Sequence, residues 1–217
     1  MAFDNTAFQA ALIHELKNHL GLLGMTLERL SPTGDPAHDI PLDDARLLCQ
    51  SVSDRLRQAL WMYRADQGPL ALNVDAYSPH ELVRGLAARA QSLAREHFDV
   101  SVELAADLPA IAFFDRDLLE MALMNGIHNS LVYARARIVI FAALRNGWLE
   151  LGVRDDSEGY PRELLDSLAN GVPYRARGTG LGLLFSRLIA QLHENRGRTG
   201  ELVLENSPGA VFTLRLP

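Results

Sequence analysis

The chain has 217 residues, 48% of them hydrophobic and 22% charged, a balance typical of a globular protein and not of a disordered one. A formal net charge of -6 and the absence of a basic run argue against nucleic-acid binding, and the single cysteine excludes an internal disulfide framework. The sequence has no signal-peptide pattern and no apolar run of about 18 residues, so we expect a cytoplasmic chain without a membrane span.

Two long amphipathic helices are predicted at the N-terminus. Apolar residues recur every three or four positions over residues 4–30, and the proline- and glycine-containing segment 31–36 ends this helix. A second helix is predicted to begin near Pro41 and to end before Gly68. Two such hairpins could pair as a four-helix bundle, so we predict that residues 1–67 form a homodimer. Packing of the hairpin on its own C-terminal domain remains the alternative.

Strands and helices alternate in the pattern predicted for residues 70–217. The predicted strands are residues 70–76, 99–104, 136–143, 148–153, 202–205 and 211–216, and the predicted helices are residues 78–96, 115–133, 161–168 and 181–193. Asn146-Gly147 favours a tight hairpin between two of these strands. Helices on one side of a mixed sheet make a two-layer α/β sandwich, so we predict an α+β chain whose second domain is residues 70–217.

The first helix carries His14 and Asn18 on one face, away from its leucine stripe, so His14 is expected to face solvent. An imidazole can attack a phosphoryl group if Glu15 takes or holds its other ring proton, and Asn18 could orient a water for the reverse, hydrolytic reaction. A zinc-protease motif is excluded, because it needs a histidine at i+4, whereas the second histidine is His19. An ordinary surface histidine remains the alternative for His14.

Two asparagines, Asn125 and Asn129, lie four residues apart on one face of the predicted helix 115–133. A carboxamide oxygen is a hard ligand of the kind that Mg²⁺ accepts beside nucleotide phosphates and water. This pairing indicates a candidate metal and phosphate site, with a pair of solvated asparagines as the alternative.

Two glycine-containing segments complete the set of candidate sites. Asp155 ends a predicted strand and could accept a hydrogen bond from an adenine amino group. The second segment precedes a helix, where glycines let phosphate oxygens approach backbone N–H groups; it consists of Gly178, Thr179, Gly180, Leu181 and Gly182. Leu183 stands where the dinucleotide fingerprint needs glycine and no Gly-Lys-Ser/Thr follows, so this is neither a Rossmann loop nor a P-loop.

Together and in this order, the segments resemble the core of bacterial sensor histidine kinases, which join a dimerisation and phosphoacceptor hairpin to a GHKL-type ATPase domain. The matching segments are residues 14–18 with the H box, 118–134 with the N box, 155–159 with the Asp-x-Gly-x-Gly box and 178–182 with the second glycine box. The resemblance implies ATP and Mg²⁺ as cofactors, Asn129 as the metal ligand, and residues 70–217 as the ATP-binding domain.

The resemblance also implies roles for individual residues. His14 would be phosphorylated by ATP with Glu15 as base and would pass the phosphoryl group to an aspartate on the receiver domain of a response regulator; Asn18 matches the position used to dephosphorylate that regulator. The implied cofactor-binding residues are Asn125, Asn129, Asp155, Gly159, Arg177, Gly178, Thr179, Gly180, Leu181 and Gly182.

Several positions depart from the family pattern. Ser157 replaces the first glycine of the Asp-x-Gly-x-Gly box, and Val132 stands where many members carry a phosphate-contacting lysine. Arg175 or Arg177 could compensate by contacting phosphates, with a solvated arginine as the alternative. Only about 13 residues precede His14, too few for a folded input domain, so we expect a separate sensory or regulatory protein to deliver the signal. The alternative function is a histidine phosphotransferase or adaptor on the same scaffold with weak or no ATP turnover.

Overall fold

The computed structural model describes residues 5–31, 33–68, 70–94, 98–170 and 181–217. In the helices some side chains are not described, among them those of residues 5–15. The chain divides into two compact units, Met1–Pro69 and Leu70–Pro217.

The first unit consists of two helices, α1 (Asn5–Arg29) and α2 (Pro36–Gln67). The guanidinium of Arg46, on α2, donates to the backbone oxygen of Leu27 from Nε at 3.1 Å and from Nη2 at 3.0 Å. These bonds add donors to a carbonyl in the last turn of α1, which otherwise accepts only from the backbone N–H of Leu30 at 3.3 Å among the described residues. The buried Cys49 adds a second link, because its Sγ donates to the backbone oxygen of Leu20 at 3.3 Å.

The predicted start of the second helix near Pro41 is wrong, because α2 begins at Pro36 and Pro41 lies inside it. Proline suits a first helical position, where its fixed φ is already helical and its missing N–H would have had no partner. Large apolar side chains remain exposed on both helices and at the residue that follows α1: Leu16, Leu22, Leu23, Met25, Leu30, Leu48 and Val52.

The second unit is built on a five-stranded sheet in the order β2-β4-β5-β9-β8, in which β2 is parallel to β4 and the other neighbours are antiparallel. Its elements are β1 (Asp75–Tyr77), α3 (Pro79–Ala94), β2 (Asp99–Leu104), β3 (Ala112–Phe114), α4 (Arg116–Tyr133), β4 (Arg137–Arg145), β5 (Trp148–Asp155), α5 (Arg162–Asn170), α6 (Leu181–Leu192), β6 (Glu194–Asn195), β7 (Arg198–Thr199), β8 (Glu201–Asn206) and β9 (Ala210–Leu216). The α+β fold with a mixed sheet is therefore confirmed.

The core of this unit lies between the sheet and helices α3, α4 and α6, which contact its strands. Alternate strand residues point toward the helices, as the two-residue period of a strand requires. These buried positions include Ile138, Ile140, Leu151, Val153, Phe212 and Leu214. Since α4 packs on both β5 and α6, the side chains of this helix are held beside the end of β5 and the start of α6.

The predicted strand over residues 70–76 is wrong. The strand there is β1, Asp75–Tyr77, and it pairs antiparallel with β3, Ala112–Phe114, which the sequence pattern did not predict. Three residues are too few for a period of two to stand out, and the pairing partner lies far along the chain. From residue 99 onward the other predicted elements agree with the structure at their ends to within about two residues.

Candidate functional site

Helix α4, which carries the two asparagines, is fixed at its N-terminus by Asp115. This N-cap side chain accepts from the backbone N–H of Leu118 at 3.1 Å through Oδ1, and from that of Asn73 at 2.8 Å through Oδ2. The first bond satisfies a donor that a helix leaves unpaired at its start. Asp115 therefore ties the first turn of α4 to the segment that precedes β1.

A buried histidine joins the end of α6 to the same cap. Nε2 of His193 accepts from the backbone N–H of Asp115 at 3.0 Å, and Nδ1 lies 2.8 Å from the backbone oxygen of Ile189. The first contact requires an unprotonated Nε2, so Nδ1 donates and the ring is neutral. Burial lowers the pKa of His193 below its ordinary value of 6.5, although the Ile189 carbonyl and the Asp115 charge act in the opposite direction.

The second unit is expected to lose stability as the pH falls below 6.5. Because the pKa of His193 is lowered in the folded state, the unfolded chain binds more protons between that value and 6.5. The stabilisation is complete above 6.5 and is lost as the pH falls toward the folded pKa. Urea unfolding at pH 5 to 8, followed by Trp148 fluorescence in a Trp61→Phe background, measures this unit alone.

His193→Gln is the matched control for that titration, because an amide can occupy the site but does not titrate. The variant should be less stable at pH 8 and should show a flatter dependence of the urea midpoint on pH. An equal pH slope in both proteins would show that other groups cause the acid sensitivity.

Asn125 holds the start of α6 against α4. Its Nδ2 donates to the backbone oxygen of Gly182 and to Oγ of Ser186, both at 3.0 Å. A Cβ on residue 182 would lie 3.1 Å from the Asn125 amide, so glycine permits the close approach of the two helices. The predicted site residues Asn125, Leu181 and Gly182 are thus brought together.

Asn129, one turn further along α4, has a different environment. It is half-buried, and within the part of the chain that the structure describes its side chain makes no hydrogen bond. The next residue, the buried Ser130, donates from Oγ to Oδ2 of Asp155 at 2.7 Å. Because Asn129 directly precedes Ser130 on α4, this bond brings the part of the helix that carries Asn129 to the predicted base-binding carboxylate, Asp155.

Asp155 lies at the end of β5 and accepts two further hydrogen bonds. Its Oδ1 lies 2.9 Å from the backbone nitrogen of Ser157 and 3.3 Å from that of Ala210. Three donors from three parts of the chain therefore fix the orientation of this carboxylate. The group is an acceptor only, so a ligand that binds it must offer a donor.

The adjacent Asp156 holds the chain that leaves α4. Its Oδ1 accepts from the consecutive backbone N–H groups of Arg135, Ala136 and Arg137, at 2.8, 3.1 and 3.2 Å. Desolvation opposes the charge, but these donors outweigh it and lower the pKa of Asp156 below its ordinary value. Two successive carboxylates thus connect the end of β5 to α4 and to the segment that follows it.

Gly159 takes a backbone conformation that few other residues adopt, with a φ of +90°. A Cβ here would also lie 2.6 Å from the side chain of Asn206. Asn206 accepts from the Tyr160 N–H at 2.8 Å and donates to the Tyr160 carbonyl at 3.0 Å. Ser157, which has no positive φ, accepts from the Gly159 N–H at 3.1 Å, so serine fits and closes this turn.

Comparisons with known proteins assign this arrangement to a family. Residues 114–217 match the family described as Histidine kinase-, DNA gyrase B-, and HSP90-like ATPase. The sensor histidine kinase MtrB of Mycobacterium tuberculosis is 32% identical over 97% of this chain. The histidine protein kinase DivJ of Caulobacter vibrioides is 29% identical over 100% of it. The chain belongs to the histidine kinase family.

Solved structures of other histidine kinases have the same fold. Full-length ShkA, in complex with AMPPNP, superposes with a TM-score of 0.69 at 21% identity, over 96% of this chain and 45% of that one. The catalytic domain of ThkA superposes with a TM-score of 0.57 at 22% identity, over 67% of this chain and 98% of that one. The present chain spans 38% of the length of both MtrB and DivJ.

Several of the predicted site residues lie outside the described part. These are Arg177, Gly178, Thr179 and Gly180, and the side chains of His14 and Glu15 are likewise not described, although α1 includes both positions. Asn18 is exposed on α1, in the other compact unit from Asp155. Within the described residues, no helix combines the length and apolarity that a bilayer span requires.

Three side chains that shape the candidate site were not predicted from the sequence. Ser130, Asp156 and Asn206 each make the hydrogen bonds described above. Serine in the interior of a helix was one available signal, since its hydroxyl favours other bonding patterns there. Asp156 and Asn206 gave no such signal, because aspartate and asparagine are common at strand ends and in turns.

Proposed function

We propose that the second unit binds ATP with Mg²⁺ and that the chain transfers the γ-phosphoryl group to His14. The observation that supports this most directly is the Ser130–Asp155 hydrogen bond, because it joins the end of β5 to α4 at the residue that follows Asn129. Membership of the histidine kinase family and its ATPase domain supports the same assignment. This chain spans only 38% of the length of MtrB and of DivJ. The activity of a whole sensor kinase is therefore proposed for it.

Two features of the site suit a nucleotide. The Asp155 carboxylate accepts an N–H from a base, and the start of α6 presents backbone N–H groups, which favour phosphate oxygens. Asn125 fixes that helix start through Gly182. Residues 178–180, outside the described part, would complete the phosphate contacts, with Arg177 as the cationic partner.

Asn129 is the residue proposed to hold Mg²⁺. Among the described residues its carboxamide is not engaged in a hydrogen bond, and an amide oxygen is a hard ligand of the type this ion accepts. The ion would neutralise charge on the phosphate oxygens during transfer.

The proposed transfer uses two residues of α1, and a third acts in the reverse, hydrolytic reaction. A ring nitrogen of His14 attacks the γ-phosphorus, the bond between that phosphorus and the bridging oxygen breaks, and ADP leaves. Glu15 takes or holds the proton of the other ring nitrogen. The phosphoryl group then passes from His14 to a carboxylate oxygen of an aspartate on a response-regulator receiver domain. Asn18, exposed on α1, is proposed to orient the water that hydrolyses the phosphorylated regulator.

The transfer is tested by incubating the purified chain with Mg²⁺ and ATP labelled at the γ-phosphate. Phosphohistidine is labile to acid and stable to base, so we expect label that acid removes and alkali does not. Calorimetry with ATP measures binding independently. Label arriving only from a second, phosphorylated kinase, with no binding of ATP, would favour the phosphotransferase or adaptor alternative.

We further propose that the first unit forms a homodimeric four-helix bundle. Leu16 and Leu23 on α1, and Leu30 directly after it, recur every seven residues and are exposed to between 43% and 50% in the single chain. An apolar stripe of this kind is typically covered by a partner helix. The leucine spacing is that of a helix-pairing surface.

Leu23→Glu is expected to convert the dimer to a monomer, because it places a charge in the centre of the proposed bundle. Sedimentation equilibrium at micromolar concentration measures the change. Leu144→Glu, an exposed position on β4 in the other unit, is the control and should leave the mass unchanged. A wild-type monomer under these conditions would contradict the bundle.

A further inference from the structure

Ser130 makes an unusual hydrogen bond for a serine in a helix. It lies in α4, directly after Asn129, and is 4% exposed. A buried helical serine commonly donates to the carbonyl four residues before it. Here the hydroxyl instead leaves its helix and donates to Oδ2 of Asp155 at the end of β5, at 2.7 Å. The bond therefore restrains the Asp155 carboxylate on β5 and does not serve α4 alone.

The hydrogen bonds to Asp155 can be counted. A carboxylate has about four lone-pair positions, two on each oxygen. On Oδ1 both are used, by the backbone N–H groups of Ser157 and Ala210. On Oδ2 the Ser130 hydroxyl uses one. Counting the described residues alone, one acceptor position is left, on Oδ2, and Ser130 determines which of the two positions on that oxygen it is.

We infer that Ser130 is a positioning residue that sets the purine selectivity of the site, an inference that rests on the proposed nucleotide binding. With its hydroxyl in place, the remaining lone pair of Asp155 accepts from the exocyclic 6-amino group of adenine. A 6-oxopurine such as hypoxanthine presents a carbonyl oxygen at that position. Two acceptors would then face each other, and a site built to accept a hydrogen bond rejects a ligand that lacks the donor.

Loss of the Ser130 hydroxyl is expected to reduce the preference of the site for adenine over hypoxanthine. Without it, Oδ2 has two free acceptor positions, which water can occupy, and one of three restraints on the carboxylate is gone. The adenine contact weakens, whereas hypoxanthine, which makes no such contact, is little affected. The ratio of ATP to ITP affinity therefore reports on Ser130 separately from any general effect on the fold.

The test measures the dissociation constants of ATP and ITP by calorimetry for the full chain and for Ser130→Ala. We expect the alanine variant to bind ATP about tenfold more weakly and ITP with little change, so that the affinity ratio falls about tenfold. Ser130→Thr retains a hydroxyl and should restore the ratio. Asp155→Asn, which changes the acceptor itself, should lower the ratio as well.

The outcomes separate this inference from the function on which it rests. A wild-type chain that binds ATP, with an unchanged ratio in Ser130→Ala, would overturn the role of Ser130 alone. Equal weakening of both nucleotides in Ser130→Ala would make the residue structural and would overturn it too. A wild-type chain that binds neither nucleotide would overturn the proposed function together with the inference.

Discussion

His14→Gln is expected to abolish acid-labile labelling of the chain by γ-labelled ATP, a loss of about a thousandfold or more. Glutamine is polar and of comparable length, but its amide nitrogen is not nucleophilic, so the side chain at position 14 can no longer form the phosphoramidate. ATP binding should not change, because the proposed nucleotide site lies in the other compact unit. Labelling and calorimetry on the same preparation measure both quantities.

His19→Gln is the matched control, since His19 is an exposed histidine on the same helix. It lies five residues from His14, which rotates it to another side of the helix. This variant should keep its label. Label that persists in His14→Gln, or that disappears in His19→Gln, would contradict the assignment of His14 as the phosphoacceptor.

Asn129→Ala is expected to reduce Mg²⁺-dependent labelling about a hundredfold, with little change in thermal stability. A metal ion that polarises a phosphoryl oxygen contributes several kcal/mol to catalysis, and about 1.4 kcal/mol corresponds to a factor of ten in rate. The fold should be unaffected, because in the described part of the chain the Asn129 side chain makes no hydrogen bond. Labelling as a function of Mg²⁺ concentration measures the first effect and thermal unfolding the second.

Asn125→Ala, on the same helix, provides the contrast. Its amide donates to Gly182 and Ser186, so its removal should destabilise the second unit by about 1–3 kcal/mol. The dependence of labelling on Mg²⁺ concentration should stay as in the wild type. A large loss of stability in Asn129→Ala, or a changed Mg²⁺ dependence in Asn125→Ala, would show that the two roles were assigned incorrectly.

The sequence was sufficient to predict most of the second unit. Strands such as β2 alternate apolar and polar residues, and Asn146-Gly147 forms the hairpin between β4 and β5 with positive φ at both positions. Regularities of this kind are local, so they can be read without knowing the fold. The start of α2 was not predicted, because Pro36 and Pro41 are both acceptable near the start of a helix and only the structure distinguishes them.

Contacts between distant parts of the chain could not be predicted in the same way. Asp155 was identified by its position after a strand, but its partners Ser130 and Ala210 lie 25 and 55 residues away. The second role of Asn125, as a link to α6, depends on how closely two helices approach each other, which no spacing in the sequence reports. Candidate residues such as Asp155 could thus be proposed from the sequence, but the groups that position them could not.

The position of β9 has a consequence for the order in which the second unit can assemble. This strand lies inside the sheet, between β5 and β8. Its first residue, Ala210, donates to Asp155, and Asn206 at the end of β8 accepts from the Tyr160 N–H. Until the β8–β9 hairpin has paired with β5, that edge of β5 is open and the Asp155 carboxylate lacks its Ala210 donor. The proposed nucleotide site is therefore expected to form only when this hairpin has been added to the sheet.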